Sequence, residues 1–288
     1  MSKIACIILN YNSLGLTMDL ALTISEFASV DYVIVVDNNS NDGSKESLPK
    51  LEKGNNKIRV LLEEDNLGYA KGNNRGALFA IENLQCDLIA IVNPDVFFQE
   101  NYIVEVSNLI NSDQDIVIAS SIAHDIDDKV SYCCYWKLPT FSDYIRKFFK
   151  PFEKKHQQRL LELQNAVSCD SIIAEAVSGA CFMARKEVFE ELGGFDEKTF
   201  LYCEESILGG KVKKHGFKEA VTYKASYNHN HQYRTETAEH KIRHYKIMLE
   251  SRKYYLQEIL GCSKNQIFFY SVLSSISLGL RKVIWKLW

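Results

Sequence analysis

Three stretches of the sequence combine polar residue types at a spacing that could support ligand chemistry. The first is VIVVDNNSNDGS (33–44), where aliphatic residues run directly into Asp37 and a turn of Asn, Ser, Asp and Gly follows. A carboxylate at the end of a buried strand can accept hydrogen bonds from a base or a ribose, while such a turn offers backbone donors. The same residues would also fit a simple capped turn, so this stretch alone does not define a site.

The other two stretches favour phosphate and cation chemistry. NLGYAKGNNRG (66–76) brings three glycines and three asparagines to the start of a predicted helix, and helix N-termini present unpaired N–H groups suited to anions. A plain loop with an N-cap is the alternative. NPD (93–95) follows the apolar run DLIAIV, where Asp95 is well placed to hold a divalent cation on a diphosphate.

Composition excludes several classes of protein. With 288 residues and 46% hydrophobic residues the chain can bury a substantial core. The formal net charge of -3 supplies no basic field, which disfavours nucleic acid as a partner. The eight cysteines include no C-x-x-C pair, and the start of the chain has no secretion signal. We therefore expect reduced thiols in a cytosolic protein without zinc.

The order of the predicted elements places these residues at one edge of a sheet. KIACIILNYN predicts a strand, 14–28 a helix, IRVLLEE (58–64) a strand, GNNRGALFAIENL (72–84) a helix and DLIAIVNPDV (87–96) a buried strand. Repeated β-α-β order with near-continuous apolar strands predicts a largely parallel sheet covered by helices on both faces. Ligands of such sheets bind beyond the carboxyl ends of the strands, where the polar stretches fall.

The second half of the chain is less regular. Aromatic and basic residues cluster in YIRKFFKPFEKKHQQR (144–159), which we interpret as an inserted segment. AVSGACFMARKEVFEELGGFD (176–196) predicts a small-residue strand and a helix closed by Gly193 and Gly194. Beyond about residue 225 the pattern predicts helix to the end of the chain.

Together, in this order, these stretches and SGACFMARKEVFEELGGFDEKTFLYCEES (178–206) resemble the family 2 inverting glycosyltransferases, in particular the bacterial rhamnosyltransferase-like branch that builds surface polysaccharides. The resemblance covers roughly residues 3–231. It implies an α/β GT-A fold, which binds a nucleotide sugar on a mostly parallel central sheet. The implied domains are a GT-A catalytic domain over 1–225, with a nucleotide-binding half of about 1–120 and an acceptor half of about 165–225, and a helical C-terminal extension over 226–288.

The resemblance also assigns residues to the donor site. Asp95 matches the last carboxylate of the family's D-x-D element and is expected to bind a divalent cation, Mg or Mn. His229 is expected to assist it; His231 of NHNH (228–231) is the alternative, and either could be a plain loop residue. Asn93 departs from the motif because an amide supplies no charge. The positions that match nucleotide-sugar contacts are Asn10, Asn12, Asp37, Asn39, Asn66, Gly68, Asn74 and Asn93.

The catalytic carboxylate implied by the resemblance belongs to Glu204 and Glu205. Inversion by direct displacement needs one group to take the proton of the acceptor hydroxyl, and Glu205 matches that position. Ile207 stands where many relatives carry another acid, which predicts fewer carboxylates to position the base. The alternative is that both glutamates are solvated residues at the start of a helix.

The C-terminal segment raises the question of a membrane. IFFYSVLSSISLGL (267–280) is the longest uncharged stretch, and its fourteen residues are too few for a spanning helix, so a transmembrane anchor is not expected. Apolar residues recur at three- and four-residue steps, with basic residues off that stripe, which favours a helix lying in the membrane interface. A helix docked on the catalytic domain is the alternative. Phe148, Phe149 and Phe152 could add a second lipid contact.

These observations predict a metal-dependent inverting glycosyltransferase of surface polysaccharide synthesis, such as that of O-antigen or capsule. The expected donor is a dTDP- or UDP-linked sugar, rhamnose first and galactose or another hexose next. The expected acceptor is a lipid-linked oligosaccharide, reached by a peripheral enzyme on the cytoplasmic face of the inner membrane. Because Asn93 and Ile207 depart from the family pattern, a non-catalytic nucleotide-sugar-binding or scaffold subunit is the main alternative. A nucleotidylyltransferase is disfavoured because no Gly-rich, basic loop lies near the N-terminus.

Overall fold

The computed structural model describes residues 2–125, 127, 129–131, 134–149, 170–230 and 237–287. The roles predicted for His231 and Phe152 therefore lie outside the described residues. The first half of the chain alternates strands and helices as predicted. Its elements are β1 (Ile4–Asn10), α1 (Leu14–Ser25), β2 (Tyr32–Asp37), α2 (Ser44–Gly54), β3 (Ile58–Leu62), α3 (Gly68–Leu84), β4 (Leu88–Val92), β5 (Val96–Phe97), α4 (Glu100–Ser112) and β6 (Ile116–His124).

The second half adds antiparallel strands and the C-terminal helices. Its elements are β7 (Tyr135–Trp136), α5 (Phe141–Arg146), β8 (Ser171–Ala174), β9 (Ala176–Val177), β10 (Cys181–Arg185), α6 (Glu187–Glu190), α7 (Glu204–Lys214), β11 (Lys218–His229), α8 (Ala238–Glu258) and α9 (Lys264–Leu287). The sequence predicted helix from about residue 225, whereas β11 continues to His229. It does so because its end pairs with β6 and, through His229 and Val96, with β5.

Within the described residues, nine strands form one sheet in the order β3-β2-β1-β4-β10-β6-β11-β5, with β8 paired to β11. Strands β3, β2, β1 and β4 are parallel, whereas β10 runs antiparallel between β4 and β6. Side chains alternate between the faces: Ile4, Cys6 and Ile8 pack into one core, and Ala5 and Ile7 into another. Near-continuous apolar strands are therefore buried on both faces, as the sequence predicted.

A third core joins the two C-terminal helices, α8 and α9, to α7. Ile207 of α7 is fully buried in it, together with Leu249, Tyr255 and Leu256 of α8 and Tyr270 of α9. The C-terminal helices therefore pack directly on α7.

Helix α9 has two different faces. Tyr270 is buried and donates to Leu249 O at 3.3 Å, and Ser277 hydrogen-bonds Tyr245 at 2.6 Å. The opposite stripe is exposed and apolar. Among the described residues this helix is long and apolar enough, by length and composition, to cross a membrane, with a mean hydropathy of 1.4 over its most apolar part. The helix extends beyond the uncharged stretch on which the length argument rested, so length alone does not exclude a spanning helix. The large apolar residues of the exposed stripe on α9 are Phe268, Phe269, Val272, Ile276, Leu280, Val283 and Ile284.

Candidate active site

A buried hydrogen-bond network joins the carboxyl ends of β1 and β2. Asn10 lies opposite Asp37, and its Nδ2 donates to Asp37 Oδ1 at 2.7 Å. The same amide group donates to Ser40 and Ser44, and its oxygen accepts from Thr17 at 2.8 Å. Both predicted residues are fully buried. These hydrogen bonds fix the two loops relative to each other, and the nucleotide contact of Asn10 and Asp37 stays a prediction.

Asn38 connects this network to the loop before α3. Its Nδ2 donates to Gly68 O at 3.0 Å and to Asn66 Oδ1 at 3.2 Å, and its Oδ1 accepts from Leu67 N at 3.1 Å. Gly68 has a φ of +78°, and a Cβ there would lie 2.7 Å from Phe200 O, so glycine is required. Asn66 and Gly68 thus lie together, as predicted. Asn38 was not predicted as a site residue, although it belongs to the same Asn-rich turn.

Asn12 and Asn39 lie at the surface of the loops that follow β1 and β2. Their φ angles are +54° and +62°, in the left-handed region that asparagine tolerates better than most residues. Asn12 Oδ1 accepts from Asn41 N at 2.8 Å, which ties the two loops together. Both predicted residues are partly exposed at the carboxyl ends of the strands, where the sequence placed the donor.

Asn74 joins α3 to the segment around Phe195 by hydrogen bonds. It is 4% exposed, its Oδ1 accepts from Phe195 N at 2.9 Å, and its Nδ2 donates to Phe195 O at 2.9 Å. A Cβ on Gly194 would lie 2.5 Å from Asn74 Oδ1. The side chain therefore anchors the segment around Phe195 to α3, and its nucleotide contact stays a prediction.

The residues predicted to bind a cation meet where β4 gives way to β5. Asn93 N donates to Ala180 O at 2.8 Å, which fixes the strand end. His229 pairs with Val96 in the sheet, and this register places its Nε2 3.3 Å from Asp95 Oδ1. Both side chains are partly exposed. Asn93 is partly exposed beside them but adds no charge.

Helix α7 begins with the acidic pair after an unusual turn. Tyr202 and Cys203 have φ angles of +76° and +68°, a region that costs about 1–3 kcal/mol for a residue with a side chain. Helix α8 holds this turn: Ser251 Oγ donates to Leu201 O at 2.8 Å, and the Tyr202 hydroxyl lies 2.8 Å from His244 Nδ1. The C-terminal helices thus fix the backbone immediately before the acidic pair.

The two glutamates of the pair lie in different surroundings. Glu204 is 4% exposed, and its Oε1 has no hydrogen-bond partner among the described residues. Burial, with repulsion from Glu205, raises the pKa of Glu204 to about 8. Glu205 is partly exposed as a residue, and its Oε1 accepts a hydrogen bond from Gly179 N at 3.3 Å. The protein surrounds its carboxyl group, and this burial raises the pKa of Glu205 as well. Since an N–H donor favours the ionised form, the pair can hold one proton, with Glu204 neutral and Glu205 ionised.

Strand β11 contributes a third carboxyl close to the pair, and this one is buried. Glu219 is 2% exposed, and its Oε2 accepts from Val177 N at 2.9 Å. Burial raises the pKa of Glu219 well above its ordinary value, with a smaller contribution from Glu205. This residue was not predicted, although an acidic residue just before the apolar run of β11 is a visible signal. As a neutral acid it ties β9 to β11.

The structure corrects the interpretation of Ile207. The sequence predicted that an acid missing there would leave fewer carboxylates around the base. Ile207 is fully buried against α8 and α9, two residues after Glu205 on the helix. Residues two positions apart on a helix point about 200° apart, so Ile207 faces the C-terminal core and Glu205 does not. A carboxylate there would lie in that apolar core.

The chain belongs to glycosyltransferase family 2, since residues 6–193 match the family model described as "Glycosyl transferase family 2". The predicted family is thereby confirmed. The chain is 25% identical over 224 residues to an N-acetylglucosaminyl-diphospho-decaprenol L-rhamnosyltransferase of Mycobacterium tuberculosis, with 74% of this chain and 72% of the relative covered. It is 23% identical to the low-salt glycan biosynthesis hexosyltransferase Agl10 of Haloferax volcanii, with 71% and 60% covered.

The fold is similar to that of solved GT-A structures. The mannosyltransferase PcManGT from Pyrobaculum calidifontis, in complex with GDP-Man and Mn²⁺, has a TM-score of 0.62 at 15% identity. The match covers 98% of this chain and 71% of that one. The predicted fold, an α/β GT-A sheet with a C-terminal helical extension, is confirmed.

A divalent cation suits the chemistry of the Asp95–His229 pair. One carboxylate and one imidazole within 3.3 Å of each other offer the oxygen and nitrogen ligands that Mn²⁺ accepts. The described residues contain no group of three or more His, Cys, Asp or Glu side chains arranged around a metal position. A cation here would therefore depend on the phosphates of a ligand for much of its coordination.

Proposed function

We propose that this protein is an inverting, divalent-cation-dependent glycosyltransferase that uses a nucleoside diphosphate sugar. The observation that carries the proposal is the acidic pair on α7, in which Gly179 N–H holds the partly exposed carboxyl of Glu205 and the carboxyl of Glu204 is buried beside it. A dTDP- or UDP-linked sugar is the proposed donor, rhamnose first and galactose or another hexose next. The similarity to a rhamnosyltransferase supports that order.

Glu205 is the proposed general base. Its carboxylate takes the proton of an acceptor hydroxyl while the hydroxyl oxygen attacks the anomeric carbon. The bond from that carbon to the nucleoside diphosphate breaks on the opposite face, and the diphosphate leaves with the electron pair. Glu204 keeps its own proton, so it repels neither the Glu205 carboxylate nor the diphosphate.

Asp95 and His229 would hold the cation. A bound divalent ion neutralises negative charge on a leaving diphosphate. The sheet register that pairs His229 with Val96 holds the two side chains together before any ligand binds. Asn38, Asn66 and the backbone around Gly68 shape the loop that faces the phosphates.

The proposed acceptor is a lipid-linked oligosaccharide at the cytoplasmic face of the inner membrane, and α9 is the proposed membrane contact. One face of this helix is bound to α8, so the exposed apolar stripe on the other face suits a helix that lies in the interface. Arg281 lies 4.4 Å from the Tyr245 ring centre, on the bound side of the stripe. Phe149 of the loop after α5 is half-exposed and adjoins Phe148, which packs on Tyr270.

The test is turnover. We expect one member of a panel of dTDP- and UDP-sugars to be transferred to a diphosphate-lipid acceptor, with inversion of the anomeric configuration measured by NMR. Glu205→Gln keeps the shape of the side chain but cannot take a proton, so kcat should fall by about 10² to 10⁴ with donor affinity retained. Glu204→Gln should lower kcat less. Near-normal rates in Glu205→Gln would refute the role of the base.

Asn93 favours a second candidate, a non-catalytic nucleotide-sugar-binding or scaffold subunit, because it removes a charge from the cation motif. Binding of a nucleotide sugar without transfer to any acceptor would support that function. Ile207, the other departure from the family pattern, is buried in the C-terminal core among apolar side chains.

A further inference from the structure

Tyr69 connects the loop before α3 to the acidic pair. It follows Gly68 in the first turn of α3, and its hydroxyl donates to Gly179 O at 2.6 Å. Gly179 N in turn donates to Glu205 Oε1 at 3.3 Å. Gly179 thus accepts a hydrogen bond from Tyr69 through its backbone carbonyl and donates one to Glu205 through its backbone N–H.

The contact leaves no free space around Gly179. A Cβ on this residue would lie 2.8 Å from Glu205 Oε1 and 3.0 Å from the Tyr69 hydroxyl. The tyrosine is fixed as well: its ring packs edge-on against Phe195 with the ring centres 5.4 Å apart, and its backbone N–H donates to Phe200 O at 3.3 Å. The hydroxyl is therefore held in place by the segment that leads into the acidic pair.

We propose that Tyr69 is a positioning residue for Glu205, acting through Gly179. The proposal deepens the proposed function and rests on it, since it takes Glu205 as the base. The hydroxyl restrains the glycine so that its N–H points at the carboxylate. That N–H both orients the carboxylate and favours its ionised form. Because Tyr69 follows the loop that is proposed to face the donor, one residue would serve both halves of the site.

The surroundings of Glu205 determine the direction of the expected pH effect. Glu204 lies beside it on α7, Glu219 approaches from β11, Tyr69 from α3, and Cys203 precedes the helix. None of these groups carries a positive charge, and the burial of Glu205 disfavours its ionised form. The backbone N–H of Glu205 itself and that of Gly179 favour the ionised form, and of these two residues Tyr69 holds Gly179. Weakening the hydrogen bond from Gly179 should therefore raise the pKa of Glu205 and reduce the fraction of ionised base.

The test is Tyr69→Phe, which keeps the ring and removes the hydroxyl. At pH 7 we expect kcat to fall about tenfold, which corresponds to a typical hydrogen-bond contribution of about 1.4 kcal/mol. The acidic limb of the kcat–pH profile should move to higher pH, because that limb reports the base in the bound complex. The Kd of the donor, measured by calorimetry, should stay within about twofold.

Tyr270→Phe is the matched control. It also removes a hydroxyl that donates to a backbone carbonyl, Leu249 O at 3.3 Å, but in the core between α8 and α9. We expect its acidic limb and kcat to match those of the unmodified protein. Gly179→Ala is a second variant, in which the methyl group displaces the carboxylate while Tyr69 remains; its kcat should fall at least as far as that of Tyr69→Phe, with the donor Kd retained.

Unchanged kcat and an unmoved acidic limb in Tyr69→Phe would overturn the proposal, as would a loss confined to donor affinity or normal turnover in Gly179→Ala. These outcomes differ from failure of the proposed function. If Glu205→Gln itself retained normal rates, the base assignment would be at fault. If that variant were inactive and Tyr69→Phe were normal, only the role of Tyr69 would be refuted.

Discussion

Replacing Glu204 by Gln should stabilise the protein in a pH-dependent way. In the unfolded chain this carboxyl ionises near its ordinary pKa of 4.5, whereas in the folded protein burial holds its proton to about pH 8. Between these values the folded state binds more protons than the unfolded state, so rising pH favours unfolding. The contribution of the neutral acid is fully present below about pH 4.5 and is lost as pH rises through about 8. Glutamine has the same shape and does not titrate.

The expected magnitude follows from that difference in pKa. Ionising Glu204 inside the protein costs at most about 5 kcal/mol more than ionising it in water. We expect about 2–4 kcal/mol, because partial opening of the site lets water reach the charge. The free energy of unfolding of Glu204→Gln should therefore increase relative to the unmodified protein by that amount between pH 5 and pH 9. Any cost of the unpaired amide group is independent of pH and does not affect this comparison.

Urea unfolding at a series of pH values measures this effect. Trp136 is a convenient fluorescent probe, since its Nε1 donates to Ser206 Oγ at 3.2 Å, close to the pair. The control is Glu82→Gln, which makes the same change at an exposed position of α3 and should show no added pH dependence. A stability difference that stays constant or shrinks from pH 5 to pH 9 would show that Glu204 is not a buried neutral acid.

Three further predictions concern the donor loops, the cation and the membrane. Asp95→Ala should abolish the Mn²⁺-dependent part of donor binding in calorimetry while the fold is retained by circular dichroism; unchanged metal-dependent affinity would contradict the assignment. Asp37→Ala should lower the free energy of unfolding by about 1–3 kcal/mol, because it removes the acceptor of Asn10. It should also weaken the binding of free nucleoside diphosphate and of the full donor equally. A loss limited to the full donor would contradict a nucleotide contact at Asp37. Ile276→Glu places a charge in the exposed stripe of α9 and should reduce sedimentation with anionic vesicles at least tenfold without loss of activity on a short soluble acceptor. Gln257→Glu adds the same charge at an exposed position at the end of α8, and equal losses in both variants would point to simple electrostatic repulsion.

Several features could be predicted because they depend on local pattern. Apolar runs ending in Asp37 and before Asn93 predicted strands and their carboxyl ends, and the β-α-β order predicted the parallel half of the sheet. The boundaries differ by a few residues: α3 begins at Gly68 where the sequence predicted 72, since the left-handed glycine opens the helix earlier. The end of β11 could not be predicted, because its last residues are held by pairing with β5 and β6 across more than 100 positions of sequence.

By itself the sequence determined which residue types meet at the carboxyl edge of the sheet, because strand period and element order follow from neighbours in the chain. Only the tertiary structure decided which of those side chains are free to meet a ligand. Asn74 matched a donor position, yet its amide is bound to Phe195, 121 residues away. Glu204 and Glu205 are adjacent in sequence, yet Glu204 is buried with no partner for Oε1 in the described part of the chain, whereas Gly179 holds Glu205. Such differences depend on contacts between distant segments, and these set burial, hydrogen bonding and pKa.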